Sequence, residues 1–524
     1  MVIKDISSPA VETSAFRQAL PQILAVCVKN VLLASYGLTL GFPTILIPSL
    51  SGDDPNEEIT MGVEEISWIG SLNLILVPLG CIFSGPITHN LGRKLTMQLV
   101  TIPFIAAFLI FHYSTRPWHI FLSLSMTGFT GGLLEAPVLT YVAEVTQPHL
   151  RGILSSTSTA AVSLGILGEF LLGTFMSWRT VSLVNCSMPI LSFILLTFVP
   201  ETPIFLLSNN KYEEAKKSIA WLRGWTTPAN IEPEFQELYR QLKQKESEEE
   251  PSRIQLLHNL AKKTFLCPYF IVSLAFGLGS FSGNQPLQTY GIKIFSAVKA
   301  PIDRYYATVI IGVVQLLGCV ISVIIIHVIG KRILNFISLL GCGICFVIVA
   351  TYIYSIDIRY IDDFGPKDAT ALTSVEMGSS QWIPVVFLIL SSFFSYLGIR
   401  ILPWVLTGEV YPNEVRATAS GLSGGIGYLF NFLANKTFPS LVTHITLPGV
   451  FWLYGSVALV GTILLYFFLP ETEGKSLYEI TEHFAGNSKL SNKVYRRKSA
   501  QKTENGQSNA AFEHDENNMI ESKL

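Results

Sequence analysis

Charge is what this chain has least of. Only 14% of its 524 residues are Asp, Glu, Lys or Arg, where a soluble globular chain carries about 25%. The two signs nearly cancel, leaving a formal net charge of −2, so no nucleic acid or other polyion is implied as a partner. Cysteine is sparse too, at 7 residues, an odd number that does not describe a secreted disulfide scaffold. Cys81, Cys186, Cys319, Cys342 and Cys345 lie inside apolar runs and read as small packed hydrophobes. There is no Walker motif, which argues against an ATP-driven pump. No nucleophile–base constellation supports an enzyme, and no cofactor or metal is expected. Cys342-Gly-Ile-Cys345 sits in an uncharged run and reads as packing. The glycines of 421–427 follow no strand and read as close helix contacts. The sequons at Asn185 and Asn435 fall in or beside apolar runs and are not expected to carry glycan.

What is present instead is apolar length. Hydrophobic residues make up 49% of the chain, Phe alone counts 33, and the mean hydropathy is +0.44. A bilayer core needs about 20 apolar residues in a helix. Runs 30–50, 66–87, 181–200, 307–326, 333–353 and 450–469 carry no charge, and 95–111, 382–399 and 417–435 are shorter but also uncharged. Runs 118–141, 152–175 and 264–295 carry one Asp, Glu, Lys or Arg each. The fold class is therefore an all-α membrane protein with about twelve transmembrane helices. The first run follows a polar leader with no small-residue cleavage site, so it reads as a retained helix.

The intervening segments divide the chain. Residues 1–29 form a leader, 30–200 a first six-helix half, 201–263 a charged helical linker, 264–469 a second six-helix half and 470–524 a polar tail that reads as mostly disordered. Short helices are expected over 211–222 and 233–246. Short loops on the two sides carry similar numbers of Lys and Arg. The basic flanks of leader and tail, including Lys493–Lys498, favour both termini cytoplasmic. The acidic first loop, with Asp53, Asp54, Glu57, Glu58, Glu64 and Glu65, fits an outside location.

The two halves repeat each other. Gly92-Arg93-Lys94 recurs as Gly330-Lys331-Arg332, Glu144…Arg151 as Glu409…Arg416, and Pro200-Glu201-Thr202 as Pro470-Glu471-Thr472. Three motifs in one order, each at a helix end, imply the parallel repeats of a secondary transporter with its site between the halves. Arg93, Glu144, Arg151, Arg332, Glu409 and Arg416 are the expected gating residues, with each Glu pairing an Arg at the next helix start in a latch between halves. The alternative is that they are topology-setting charges alone.

These residues resemble a sugar porter of the major facilitator superfamily. The order over 35–484 matches that family: Gly92-Arg93-Lys94, Tyr141-Val-Ala-Glu144 to Leu150-Arg151-Gly152, Pro200-Glu-Thr-Pro203, Phe281-Ser-Gly283 with Tyr290, Pro403-Trp404 with Gly408-Glu409, and Pro470-Glu-Thr-Glu-Gly-Lys-Ser-Leu477. Lys436-Thr437-Phe438 is similar to insect facilitated trehalose and glucose transporters. The resemblance implies alternating-access transport of a hexose or a disaccharide such as trehalose in the plasma membrane. It also places Thr159, Ser280, Gln285, Gln315, Tyr396, Trp404 and Tyr428 at substrate-facing positions, several with other side chains than the family's own. Sugars need convergent hydrogen-bonding groups beside an aromatic face. Ser282, Gln285, Gln288, Tyr290, Gln315, Trp404 and Asn431 supply both.

The resemblance also marks departures. His89 and His327 replace an acid before each Gly-Arg/Lys pair, and Ile204 replaces an arginine. Proton-coupled relatives place a carboxylate in the first helix, where this chain reads Gly41-Phe-Pro-Thr44, so facilitated uniport is expected. Glu135 and Glu169 are the acids available to a symporter. A non-transporting sugar sensor is a further alternative. Arg400 stands where the family has glycine, four residues before Trp404. An arginine deep in a helix costs at least about 2.5–3.5 kcal/mol. It therefore pairs with Glu135 or Glu169, reaches water, or lines the cavity and favours an acid-bearing solute.

Overall fold

The computed structural model describes residues 15–55, 57–247, 253–361, 364, 381–412 and 415–490. The expectations for 1–14, for Lys367, for the basic run 493–498 and for the end of the tail lie outside these residues. Every regular element among the described residues is helical.

In the first half, α1 (Ala15–Pro48) is followed by α2 (Val63–Ile69) with α3 (Leu72–Leu91), α4 (Arg93–His112), α5 (Pro117–Leu133) with α6 (Glu135–Val145), α7 (Pro148–Phe175), and α8 (Trp178–Asn185) with α9 (Ser187–Phe198). These make six crossings. The linker folds as α10 (Pro203–Ser208), α11 (Tyr212–Leu222), α12 (Glu232–Ser247) and α13 (Arg253–Leu260). The second half contains α14 (Lys263–Phe281) with α15 (Asn284–Ala297), α16 (Arg304–Ile329), α17 (Lys331–Ser355), α18 (Trp382–Leu397) with α19 (Leu402–Glu409), and α20 (Arg416–Phe468). At 1.5 Å per residue α20 would run about 80 Å, far beyond the roughly 30 Å of a bilayer core. It turns back at Thr446, whose φ of 66° breaks the helix, and so supplies the last two crossings. A final α21 (Leu477–Ala485) is capped by Ser476 and Glu479 in a reciprocal box.

The first helix begins at Ala15, inside the segment read as leader. Lys29 is fully buried between α1 and α7, and its Nζ donates to Ser158 Oγ at 2.6 Å. Ala25 and Val26 are buried beside it.

Breaks within spans follow local chemistry. Between α14 and α15, Gly283 has φ 90°, and a Cβ there would lie 2.7 Å from the rings of Phe346 and Tyr454. Only glycine fits both the conformation and the space. The break lets the second part of the seventh span leave the axis of the first, as discontinuous helices do beside transporter sites.

The repeat motifs become matched structures. Gly92 and Gly330 both turn at φ 93° into α4 and α17. Glu201 accepts from the backbone N–H of Arg93 and Lys94, and Glu471 accepts from those of Lys331 and Arg332. Each carboxylate satisfies the orphan donors of a helix N-terminus and meets its positive dipole end. Burial pushes the Glu201 carboxyl up, against the donors of Thr202, Lys94 and Arg93 that favour its charge. The exterior of the bundle is apolar, with Ile82, Ile324, Ile463 and Phe467 pointing outward, which suits lipid contact.

Candidate substrate cavity

Between the halves lies a cavity of about 1150 Å³. Its mouth is bordered by Gly152, Ile153, His327, Lys331, Glu409, Arg416 and Glu473, at the face that carries the linker and α21. Deeper, α7 contributes Ser158, Thr159 and Ser163, α6 contributes Glu135, and the second half contributes Ser280, Gln285, Gln288, Tyr396, Arg400, Trp404, Tyr428 and Asn431. Nine of the twelve expected substrate-facing residues thus line one space.

The polar groups on the second-half wall form a connected array. Ser280 Oγ donates to Asn431 Oδ1 at 2.9 Å, and Arg400 Nη1 donates to the same oxygen at 3.0 Å. Tyr396 donates to Gln288 Oε1 at 3.0 Å, with the Arg400 guanidinium 5.8 Å from its ring centre. Trp404 stands edge-on to Phe276 and beside Tyr428, and its indole lines the cavity.

Ser282, Tyr290 and Gln315 do not line it. Ser282 is buried and donates to the Gly279 carbonyl, closing the helix turn before the break. Tyr290 lies past the break, where its hydroxyl donates to the Asn435 carbonyl and its ring stacks 4.9 Å from Phe438. Gln315 is buried in the helical packing and is not among the lining residues. Arg400 is not paired with Glu135 or Glu169. Glu169 instead accepts from Asn185 within the first half, and Glu135 faces the cavity.

The charged helix ends also sort differently from the expected latch. Arg93 pairs with Glu144 at 2.7 Å, and Lys331 pairs with both Glu409 and Glu473 at 2.7 Å. All of these stay within one half. Lys331 takes the place expected of Arg332, which lies over Phe336 and Tyr466 and donates to the Tyr466 carbonyl. Arg416 donates to the Tyr411 carbonyl, and Arg151 is exposed with no side-chain partner among the described residues. The halves are joined at the opposite face instead. There Asp53 accepts from Lys293 and Arg304, each at 2.6 Å. Lys436 donates to Glu64 and Ser67 at 2.6 Å and covers the Trp68 ring. Thr44 donates to the Gln288 carbonyl, and Asn435 to the Gly70 carbonyl.

Sequence reasoning missed Ser158 and Ser163 as wall residues, and Asp53, Lys293, Arg304 and Lys436 as closing residues. The stripe Ser155, Thr159, Ser163 at helical spacing was a readable signal for the wall of α7. Lys293, the one charged residue in the run 264–295, was another.

Known proteins share both the sequence and the architecture. The chain is 31% identical over 429 residues to the facilitated trehalose transporter Tret1 of Apis mellifera ligustica, covering 82% of this chain and 81% of that protein. It is 28% identical over 471 residues to Tret1 of Bombyx mori, covering 89% and 88%. The fold is similar to the E. coli xylose transporter XylE in a partially occluded inward-open conformation, with a TM-score of 0.66 at 18% identity over 87% of this chain and 99% of that one. The family profile described as "Sugar (and other) transporter" matches residues 37–484. This multi-pass membrane protein, with its twelve crossings in two repeated halves, belongs to that family.

Proposed function

We propose that the chain carries a sugar down its gradient by alternating access. The observation that carries this is one cavity between two repeated halves, polar and aromatic on its walls, open at one face and closed by bonds across the halves at the other. Its volume exceeds the roughly 300–1,000 Å³ of ordinary small-molecule pockets, so a disaccharide such as the trehalose named for the relatives fits as well as a hexose. Trp404 supplies an apolar face for a sugar ring, and Gln285, Gln288 and Asn431 supply amides for hydroxyls.

In this reading the linker face is cytoplasmic, as are both termini, the membrane is the plasma membrane, and the conformation is inward-facing. The basic flanks of leader and tail support that orientation. The ion pairs at Glu144 and Glu409 would exchange for pairs across the halves, drawing in Arg151 and Arg416, when the cavity closes inside and opens outside.

A second reading, proton-coupled symport, is favoured by one observation: Glu135 faces the cavity without a hydrogen-bond partner among the described residues. Labelled trehalose and glucose uptake into liposomes holding the purified chain, with and without an inward proton gradient, separates the two. Uniport predicts equilibration to the sugar gradient under both conditions. Accumulation that depends on the proton gradient and disappears in Glu135→Gln assigns symport. No flux of any sugar, with binding retained, leaves a sensor and overturns transport.

A further inference from the structure

Arg400 lines the cavity deeper than the cations at its mouth. There Lys331 is held between two carboxylates, and Arg416 donates to the Tyr411 carbonyl. Arg400, deeper in, has no carboxylate within ion-pair distance among the described residues. Its guanidinium donates to Asn431 Oδ1, an oxygen that Ser280 already supplies with a donor, and it also hydrogen-bonds the Tyr396 hydroxyl. A guanidinium has five N–H donors in a planar fork that matches a carboxylate. Its position is set by the irregular turn between α18 and α19, where the Arg400 backbone N–H donates to the Ser395 carbonyl, and by the Tyr396 ring. The group is thus oriented, lines the cavity and is not neutralised.

Glu135 lines the same cavity from the other half. Arg400 and Glu135 do not pair with each other, so each is available to a ligand. We infer that the sugar taken by this cavity bears a carboxylate: a polyhydroxylated monocarboxylate of the hexuronate or aldonate class. Its acid group sits on Arg400 and its hydroxyls reach Gln288, Asn431 and Glu135. Arg400 fixes the direction, because its guanidinium is the charge-complementary partner for an acid end while Glu135 serves hydroxyls, so the carboxylate is directed to the Arg400 wall. This rests on the sugar-transport reading and narrows its substrate.

The test measures competition of D-glucuronate, D-glucose and benzoate against each other for uptake and for thermal stabilisation of the full chain in liposomes or detergent. The expected result is a glucuronate affinity at least tenfold above that for glucose. In Arg400→Gln that ratio falls at least tenfold, and in Arg400→Lys, which keeps the charge without the fork, it falls less. Glucose transported with no glucuronate competition overturns the inference and leaves sugar transport standing. A selectivity ratio unchanged in a folded Arg400→Gln overturns it as well. Benzoate binding with both sugars rejected overturns the sugar reading and the inference together. If neither variant folds, wild-type selectivity decides: preference for glucose over glucuronate refutes the proposal.

Discussion

The two ends of this bundle handle the same kinds of charge in opposite ways. At the linker face, Arg93–Glu144 and Lys331–Glu409 occupy matched places in the two repeats, and neither pair crosses between halves. At the other face, Asp53 takes Lys293 and Arg304 from the second half, and Glu64 takes Lys436. No repeat motif generates these bonds, and they hold the halves together. Symmetry thus belongs to the end that is open, and asymmetry to the end that is shut. A carrier that must close each end in turn needs cross-half bonds on both sides but never simultaneously. The repeated pairs are suited to parking charges within a half while the cavity is open to that side. The lesson is energetic: breaking a buried pair without replacing it costs roughly 3–5 kcal/mol, so charges near a moving interface require a partner in each state.

The sharpest break in this comparison is Asp53. It is the shared acceptor for Lys293, which is only 4% exposed, and for Arg304. Asp53→Asn removes the negative charge from both contacts. Solvent reaches Asp53 and Arg304, so the loss is nearer about 1.5–3 kcal/mol than the full value for a buried pair. That shifts the balance toward opening at this face by about tenfold or more. A cysteine at Gly152, where an added Cβ meets nothing within 4 Å, reports on the other mouth once the exposed Cys27 and Cys267 are made Ser. Its labelling rate by a polar maleimide is expected to fall in Asp53→Asn in proportion to the population that closes this mouth. An unchanged rate would show that the cross-half bonds at Asp53 do not set the conformation.

The next test compares the repeats themselves. Lys331 is 5% exposed and separates two carboxylates, whereas Arg93 balances Glu144 as one close ion pair. Lys331→Gln leaves Glu409 and Glu473 facing each other, and Arg93→Gln leaves Glu144 alone. Both variants lower thermal stability, the first by up to about 3 kcal/mol and the second by about half of that. Scanning fluorimetry of the purified variants checks the order, which reverses if the doubled carboxylates of the second half carry no weight.

How this arrangement reads from sequence differs by level. Twelve crossings are legible because bilayer thickness imposes a length that uncharged runs such as 307–326 and 333–353 meet directly. The repeat is legible because Gly92 and Gly330 must turn into a helix and Glu201 and Glu471 must cap it. Direction within the bundle is far less legible. Lys331 and Arg332 are adjacent at a helix start, and one residue rotates a side chain by about 100°, which decides whether it meets Glu409 or lies over Phe336. The turn at Gly283 sends Tyr290 away from the wall that Gln285 and Gln288 line. Lys29 precedes an uncharged run, and nothing in the sequence announces that it is a buried donor to Ser158. The closing bonds join residues hundreds of positions apart with no motif to announce them.

Arg151 sharpens the comparison from the other side. It is exposed and makes no side-chain contact here among the described residues, so Arg151→Ala changes the stability of this conformation by less than about 0.5 kcal/mol. If Arg151 takes a carboxylate only when the linker face closes, the same variant slows the return step. The expected outcome is an unchanged melting temperature with sugar exchange reduced several-fold in counterflow. Wild-type exchange would remove Arg151 from the gate.

The smallest effect concerns Glu473, the feature of the second half with no counterpart in the first. Burial alone would push its carboxyl up, but hydrogen bonds from His327 and Lys331, with their charges, outweigh it and hold the group below the usual carboxylate range. A depressed folded value stabilises the protein above the unfolded value of about 4.3, and that contribution disappears as the pH falls through the folded value. Between about pH 6 and 8 the Glu473 carboxylate is therefore fully ionised and its own contribution is flat. Because His327 is largely exposed and Lys331 keeps Glu409 as a partner, Glu473→Gln lowers the melting temperature by only about 1–2 °C over that range. Wild type and variant converge as the pH drops below about 4, where the native carboxylate takes up its proton. Melting curves from pH 3.5 to 8 test this, and a gap that widens on acidification contradicts the assigned sign. A flat, small gap would leave the second half's extra carboxylate as a local tether for Lys331, and the difference between the two faces would rest on Asp53 and the matched pairs.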